Sequence, residues 1–195
     1  KNSSKRIVIP TTIIVLLYDF ILIFIIILIA ILAFAGHKIY KTYFCSTEIS
    51  SRDNSFKLTI PNRIKYKVKD SNDENYTLDL YSVKDEMFLY STVINKKSEI
   101  NLEETVKNEK ENVSKTLSNF NNILDVQKTS IQNYNSYKYA YTYSDADYEK
   151  DLYAEIVWIQ TDSKIYVLDL EVITKNINKY KPLFEKIESS FIENK

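Results

Sequence analysis

Three groups of residues in this 195-residue chain are of types that carry chemistry: a lone Cys and His, a run of alternating acids and a run of alternating tyrosines. His37 and Cys45 are the only histidine and the only cysteine. A thiolate nucleophile with an imidazole base is what such a pair supplies, but it needs a scaffolded cleft to hold the two in reach. Both residues follow closely on a long apolar run, where the chain reads as a stalk, so no catalytic role is assigned to them. A single cysteine also excludes an intramolecular disulfide and any multi-cysteine zinc site. An interchain disulfide through Cys45 stays open. Asp145, Asp147, Glu149 and Asp151 place an acid at every second position. Calcium loops of the EF-hand kind need a Gly at their sixth position and a bidentate Glu at their twelfth. No Gly is present here and Ile156 stands in the place of the Glu. The stretch reads as a solvated hairpin loop, and no metal ligand is assigned.

Tyr137, Tyr139, Tyr141 and Tyr143 alternate with Lys138, Ala140, Thr142 and Ser144. On a strand all four rings share one face. Such a face either packs beneath a helix with its hydroxyls at the sheet margin, or stands open as an aromatic platform for a cell-wall glycan or peptide. Burial of the rings decides between the two. Other chemistries are excluded outright. The only glycine is Gly36, so there is no glycine-rich phosphate loop, dinucleotide fingerprint or nucleophile elbow, and no cofactor is implied. With 26 acids in the chain, some pair falls at a glycosidase-like separation by chance, and the sequence nominates none as catalytic.

The elements that position these residues belong to two unlike parts. The 26 Lys+Arg and 26 Asp+Glu cancel overall. Residues 1–45 nevertheless carry a net +4 and residues 46–195 a net −4. An acidic domain has no surface to displace counterions from phosphates, which argues against a nucleic-acid partner. From Phe20 to Ala35 every residue is apolar, and Ile13–Tyr18 extends the run with Asp19 as the one interruption. As a helix, Ile13 to Ala35 would be about 34 Å long at roughly 1.5 Å per residue. That spans a hydrocarbon core of about 30 Å with some tilt. An ionised Asp at the bilayer centre opposes insertion by about 2.5–3.5 kcal/mol, and the Ile, Leu and Phe of Phe20–Ala35 favour it by roughly 6 kcal/mol. The segment is therefore read as a transmembrane helix with the lipid bilayer as its partner. Asp19 sits near one end, where it either snorkels to the headgroups or contacts a partner helix of another membrane protein.

The resulting organisation is a basic leader over 1–12, a transmembrane helix over 13–35, a juxtamembrane linker over 36–55 and an extracytoplasmic domain over 56–195. Ala33-Phe34-Ala35 fits a signal peptidase site, but the apolar stretch exceeds the roughly 7–15 residues of a signal core. An uncleaved signal anchor is expected. Thr42-Tyr43-Phe44 is too bulky for a lipobox before Cys45. Basic residues flank the helix equally on both sides, and the simplest single-pass topology in the cytoplasmic membrane exports the C-terminal part.

Within that part, Phe56–Ile60 and Ile64–Val68 alternate apolar and polar as strands do. Tyr76–Val83 and Met87–Ile94 follow as further strands. The period then changes: Leu102, Val106, Val113, Leu117 and Phe120 share a helical face, with Asn101 as its cap and Glu103 and Glu104 in the first turn. Four strand-like stretches come next, Ile123–Ile131, Tyr137–Tyr143, Leu152–Gln160 and Ile165–Ile173, spaced for an antiparallel meander. A last helix, Asn178 to Ile192, places Tyr180, Leu183, Phe184, Ile187 and Phe191 on one side, with Pro182 expected in its first turn. This is an α+β class, an antiparallel sheet sandwiched by helices.

The opening Phe56-Lys57-Leu58-Thr59-Ile60-Pro61, the mid-chain helix, the meander and the closing helix ending Glu188-Ser189-Ser190-Phe191 resemble the PsbP/Mog1/DcrB-like domain family over residues 56 to 192. Many relatives carry a Trp shortly after the Pro, where Ile64 stands here. The resemblance implies an envelope-attached domain that binds or assembles rather than catalyses. Three arginines against 23 lysines, with abundant Ile, Asn and Tyr, point to the AT-rich codons of a low-GC Gram-positive bacterium. The function expected from all this is non-catalytic binding or assembly in the cell envelope. The alternatives are an envelope hydrolase with paired carboxylates, or an accessory or sensory subunit of a membrane complex.

Overall fold

A computed structural model describes residues 11–69, 76–84, 86–96, 99–146 and 149–194, with side chains from Tyr18 onward. Two compact units emerge, Lys1–Cys45 and Ser46–Lys195. In the first, Thr11–Tyr43 is a single helix, α1, which includes Ile13, Phe20 and Ala35 and runs on to Tyr43. Its Tyr18–Tyr43 stretch of 26 residues is, among the described residues, the one helix long and apolar enough to cross a membrane, a property shared with signal sequences. From Phe20 onward its Ile, Leu and Phe side chains are exposed all round, which suits a lipid solvent. Asp19 and His37 lie exposed on this helix.

The second unit begins at Ser46, not at residue 56. Strand β1 (Ser46–Ser50) pairs antiparallel with β2 (Phe56–Pro61), Ile49 opposite Leu58. Residues 36–55 are therefore no linker: the first eight extend α1 and Ser46–Ser50 joins a sheet. Only Ile49 of β1 is apolar and partly buried, so an edge strand of this kind leaves almost no pattern in the sequence.

Seven strands form the main antiparallel sheet: β3 (Lys67–Val68), β4 (Leu78–Ser82), β5 (Met87–Asn95), β6 (Asn121–Ile131), β7 (Tyr134–Asp145), β8 (Lys150–Gln160) and β9 (Lys164–Ile173). Their order is β3-β4-β5-β9-β8-β7-β6. The central β8 and β9 are apolar on both faces because both are covered. Of the alternation Ile64–Val68, only β3 pairs. The Ile64 N–H instead closes a turn on the Pro61 carbonyl at 2.9 Å, and its side chain enters the core. In the β6–β7 hairpin, Gln132 and Asn133 both take positive φ (51° and 75°), the signature of a two-residue I′ turn made without glycine.

Helix α2 (Leu102–Thr116) starts as expected at Asn101, whose side chain accepts the Glu104 backbone N–H at 3.4 Å. Helix α3 (Ile177–Ser189) follows a 3₁₀ turn at Thr174–Asn176. Pro182 is the sixth residue of α3, past the first turn, contrary to expectation. The helix tolerates the missing N–H because Tyr180, Leu183, Phe184 and Ile187 are buried along one stripe. It also ends earlier than expected: Ile192–Glu193 forms a short strand, β10, on the other side of β2 from β1.

Two cores result, one on each face of the main sheet. On one face Leu80, Leu89, Leu168 and Leu170 meet Phe56, Leu58 and Ile60 of β2 and the apolar stripe of α3. On the other, Leu102 and Val106 of α2 meet the odd-numbered residues of β7 and β9 and the even-numbered residues of β8. The domain is an α+β sandwich.

Candidate functional site

The face under α2 holds something the sequence reading did not nominate. Strand β9 reads Ile165, Val167, Asp169, Glu171, Ile173 along that face. Two acids thus stand at the middle of a seven-stranded sheet. The register gives them aromatic and apolar neighbours: Tyr90 and Ile156 flank Asp169, Phe88 and Ala154 flank Glu171. One strand further, Tyr139 pairs with Ile156 and Tyr141 with Ala154.

Helix α2 lies over β6 and β7. Beside it a cleft of about 320 Å³ opens, within the size range of ligand sites. Glu109 and Val113 of α2 make one wall and Thr92 and Ile94 of β5 the other. Tyr139, Tyr141, Trp158 and Asp169 are on its floor. Among the described lining residues none is Lys, Arg or His.

Burial sets the electrostatics. Asp169 keeps partial exposure as a residue, yet its Oδ1 is sealed from solvent without a hydrogen-bond partner. Burial, and next the charge of Glu171, raise its carboxyl well above the usual range. Glu171 is 8% exposed. Burial pushes it up to about 7, opposed by the hydrogen bond that the Tyr143 hydroxyl donates to it at 2.8 Å, while Asp145 adds to the rise. The phenols of Tyr139, Tyr141 and Tyr143 are also raised, first by burial and then by these acids. They stay protonated and serve as donors. Trp158 is 6% exposed, and its Nε1–H leans toward the Tyr139 hydroxyl without making a hydrogen bond of ordinary geometry.

The four tyrosines do share one face, but none is open: Tyr137, Tyr139, Tyr141 and Tyr143 are 9%, 1%, 4% and 9% exposed. They do not form an aromatic platform at the surface. Leu102 and Val106 cover them, Phe120 stacks on Tyr141 at 5.1 Å, and the Tyr137 hydroxyl donates to Glu103 on α2 at 3.2 Å. Only Tyr139 and Tyr141 reach the cleft. Asp19 and His37 belong to the other unit, and Cys45 is a free thiol at its end. Of the acid run, Asp147 lies outside the described residues. Among the described residues no three His, Cys, Asp or Glu side chains gather as a metal site.

A second buried cluster lies on the opposite face, under α3. Lys138 Nζ reaches Glu155 at 3.0 Å and Glu188 at 3.7 Å, and the Tyr153 hydroxyl donates to Glu155 at 2.6 Å. Burial and the Glu155 charge raise Glu188 to about 8, whereas Glu155 is held below its usual value despite burial by its hydrogen bonds and Lys138. This cluster ties α3 to the sheet through Lys138, and leaves Glu188 Oε1 buried without a hydrogen-bond partner.

The sequence did hold a signal for Asp169 and Glu171. Ile165–Ile173 is apolar at both parities except for these two acids, and in a strand buried on both faces an acid must lie inside.

No family model matches the sequence, and no curated protein matches it. Solved structures do. The chain is similar to the cyanobacterial PsbP (CyanoP) of Synechocystis sp. PCC 6803, with a TM-score of 0.58 and 12% identity over 76% of this chain and 92% of that one. It is similar to LpqN of Mycobacterium tuberculosis, described as involved in cell envelope biogenesis, at 0.54 and 12% over 77% and 91%. A protein of unknown function from Pseudomonas aeruginosa, PA94, aligns at 0.50 and 12% over 77% and 98%. At such identities the likeness is one of fold. The domain has the PsbP/DcrB-like fold that the residue resemblance implied, and none of the three is named as an enzyme.

Proposed function

We propose that the chain is a single-pass protein of the cytoplasmic membrane that holds its α+β domain on the extracytoplasmic side and acts there by binding, without catalysis, in the cell envelope. The cleft beside α2 carries this reading: a ligand-sized space whose polar groups, Asp169 Oδ1 and Trp158 Nε1, have no partner of their own. The anchor is supported by α1 and the unbroken apolar surface of its Phe20–Ala35 stretch. The envelope setting draws on LpqN, a structural neighbour described in those terms.

Protease added to intact protoplasts tests the placement. A tag at the C-terminus is expected to be lost from intact protoplasts, and protection of the tag until lysis would overturn the topology. A second reading, a hydrolase with paired carboxylates, is favoured by the raised pKa values of Asp169 and Glu171 on one strand face. Against it, only Asp169 lines the cleft, while Glu171 is held by Tyr143. Release of products from cell-wall glycan by the purified chain, lost in both Asp169→Asn and Glu171→Gln, would replace the binding role with that activity.

A further inference from the structure

We propose that the cleft beside α2 takes a small organic cation, a primary ammonium with an oxygen acceptor close by, as amino sugars and amino alcohols carry. This rests on the binding role above and names its ligand class. Charge selects the cation. Glu109 lines the space as an acid, no basic side chain is among the described lining residues, and a cation beside Asp169 draws its raised carboxyl back to the ionised form, so that binding is coupled to loss of that proton. An anion would be repelled, and an apolar molecule would leave two buried polar atoms unpaired at a cost to binding.

The two unpaired atoms set the rest of the chemistry. Asp169 Oδ1 is an acceptor without a donor, and Trp158 Nε1 is a donor whose nearest acceptor, the Tyr139 hydroxyl, is poorly placed. Both atoms lie beneath the cleft surface, so an ammonium that donates to the first, with a neighbouring hydroxyl or carbonyl oxygen that accepts from the second, displaces lining side chains to reach them. Trp158 is nine-tenths buried and sits in the cleft floor, so its N–H has no route to bulk water in exchange.

The chain has a single tryptophan, and it is this one. Its emission therefore reports on the cleft directly. The purified full chain in detergent is titrated with glucosamine, with ethanolamine and with N-acetylglucosamine, which keeps the sugar ring and removes the charge. Both amines are expected to give a saturable change in Trp158 emission, with N-acetylglucosamine at least tenfold weaker than glucosamine. Asp169→Asn, checked for folding by its melting curve, is expected to weaken glucosamine by about tenfold or more, as loss of a charge-assisted hydrogen bond does. No saturable response to either amine overturns the inference. So does equal binding of the two sugars, which uses the native chain alone and leaves the binding role standing. Protection of the tag in intact protoplasts would overturn the placement without touching this titration.

Discussion

Glu171→Gln tests whether the acids under α2 help the fold or burden it. Glu171 ionises at about 7, against 4.5 for an unburied glutamate. Because its folded-state value is raised, the native domain holds this proton where the unfolded chain has released it. Its contribution is fully present below about pH 4.5 and is lost as the pH rises through 7. By pH 8 the lost stability amounts to about 3 kcal/mol, from the difference between the two ionisation ranges. Glutamine has the same shape, is neutral throughout, and keeps an oxygen to accept the Tyr143 hydroxyl. Its amide N–H₂ replaces an ionisable oxygen in a buried place, which costs about 1 kcal/mol. The variant is therefore expected to be about 1 kcal/mol less stable than the native chain at pH 4.5 and about 2 kcal/mol more stable at pH 8.

The crossing of the two stability profiles is the observable. In a domain of this size about 2 kcal/mol moves Tm by about 4–8 °C. Circular dichroism melts of the full chain in detergent at pH 4.5, 6 and 8 would resolve it. Removing Glu171 also removes the charge that helps to keep Asp169 protonated, which adds to the change in the same direction. A variant less stable than the native chain by the same margin at all three pH values would refute the reasoning and make Glu171 an ordinary structural residue.

Three further perturbations follow from the packing. Phe191→Ala removes a ring with 0% exposure that lies 5.6 Å from Phe56, 5.0 Å from Tyr166 and 6.0 Å from Tyr134. It is expected to cost about 3–5 kcal/mol, read as a drop in the urea midpoint. Asn101→Ala removes the cap of α2 and is expected to cost about 1 kcal/mol in the same assay. Asp19→Leu is expected to leave detergent-extracted complexes unchanged, and their loss would make Asp19 a contact to a partner helix.

Most of the fold was legible because its strands bury one face or both. Phe56–Ile60 announces itself by alternation, and α2 by its period and its cap. What escaped the reading depended on partners far along the chain. Ser46–Ser50 is a strand because β2 offers it a ladder, and Ile192–Glu193 because β2 has a second edge. Pro182 sits inside α3 because burial of the stripe around it outweighs one hydrogen bond. The tyrosine alternation was visible, but its covering by α2 was a tertiary fact. Asp169 and Glu171 were visible too, and were passed over because acids are plentiful. Their meaning comes from the strand's central place in the sheet.

The two buried acid pairs differ in kind. Under α3, Glu155 and Glu188 share Lys138, and Tyr153 donates to Glu155. A charge taken out of water is tolerable when it is paired and hydrogen-bonded, and here the chain supplies the pairing itself. Under α2, Glu171 accepts the Tyr143 hydroxyl, Asp169 Oδ1 has no partner, and no base is among the described residues that line the cleft. With a folded state only about 5–15 kcal/mol below the unfolded one, an uncompensated pair of that sort is a real burden. The burden is also placed where a space of ligand size opens, beside the only tryptophan and its unmatched N–H. The pair under α3 also leaves one oxygen, Glu188 Oε1, without a hydrogen bond, but it has Lys138 as a counter-charge, which the pair under α2 lacks among the described residues that line the cleft. A ligand that brings positive charge and one acceptor oxygen would close the pair under α2 in the same physical sense, which is why Glu171→Gln and the amine titration should move in opposite directions: the fold firmer at pH 8, the cleft weaker for its cation.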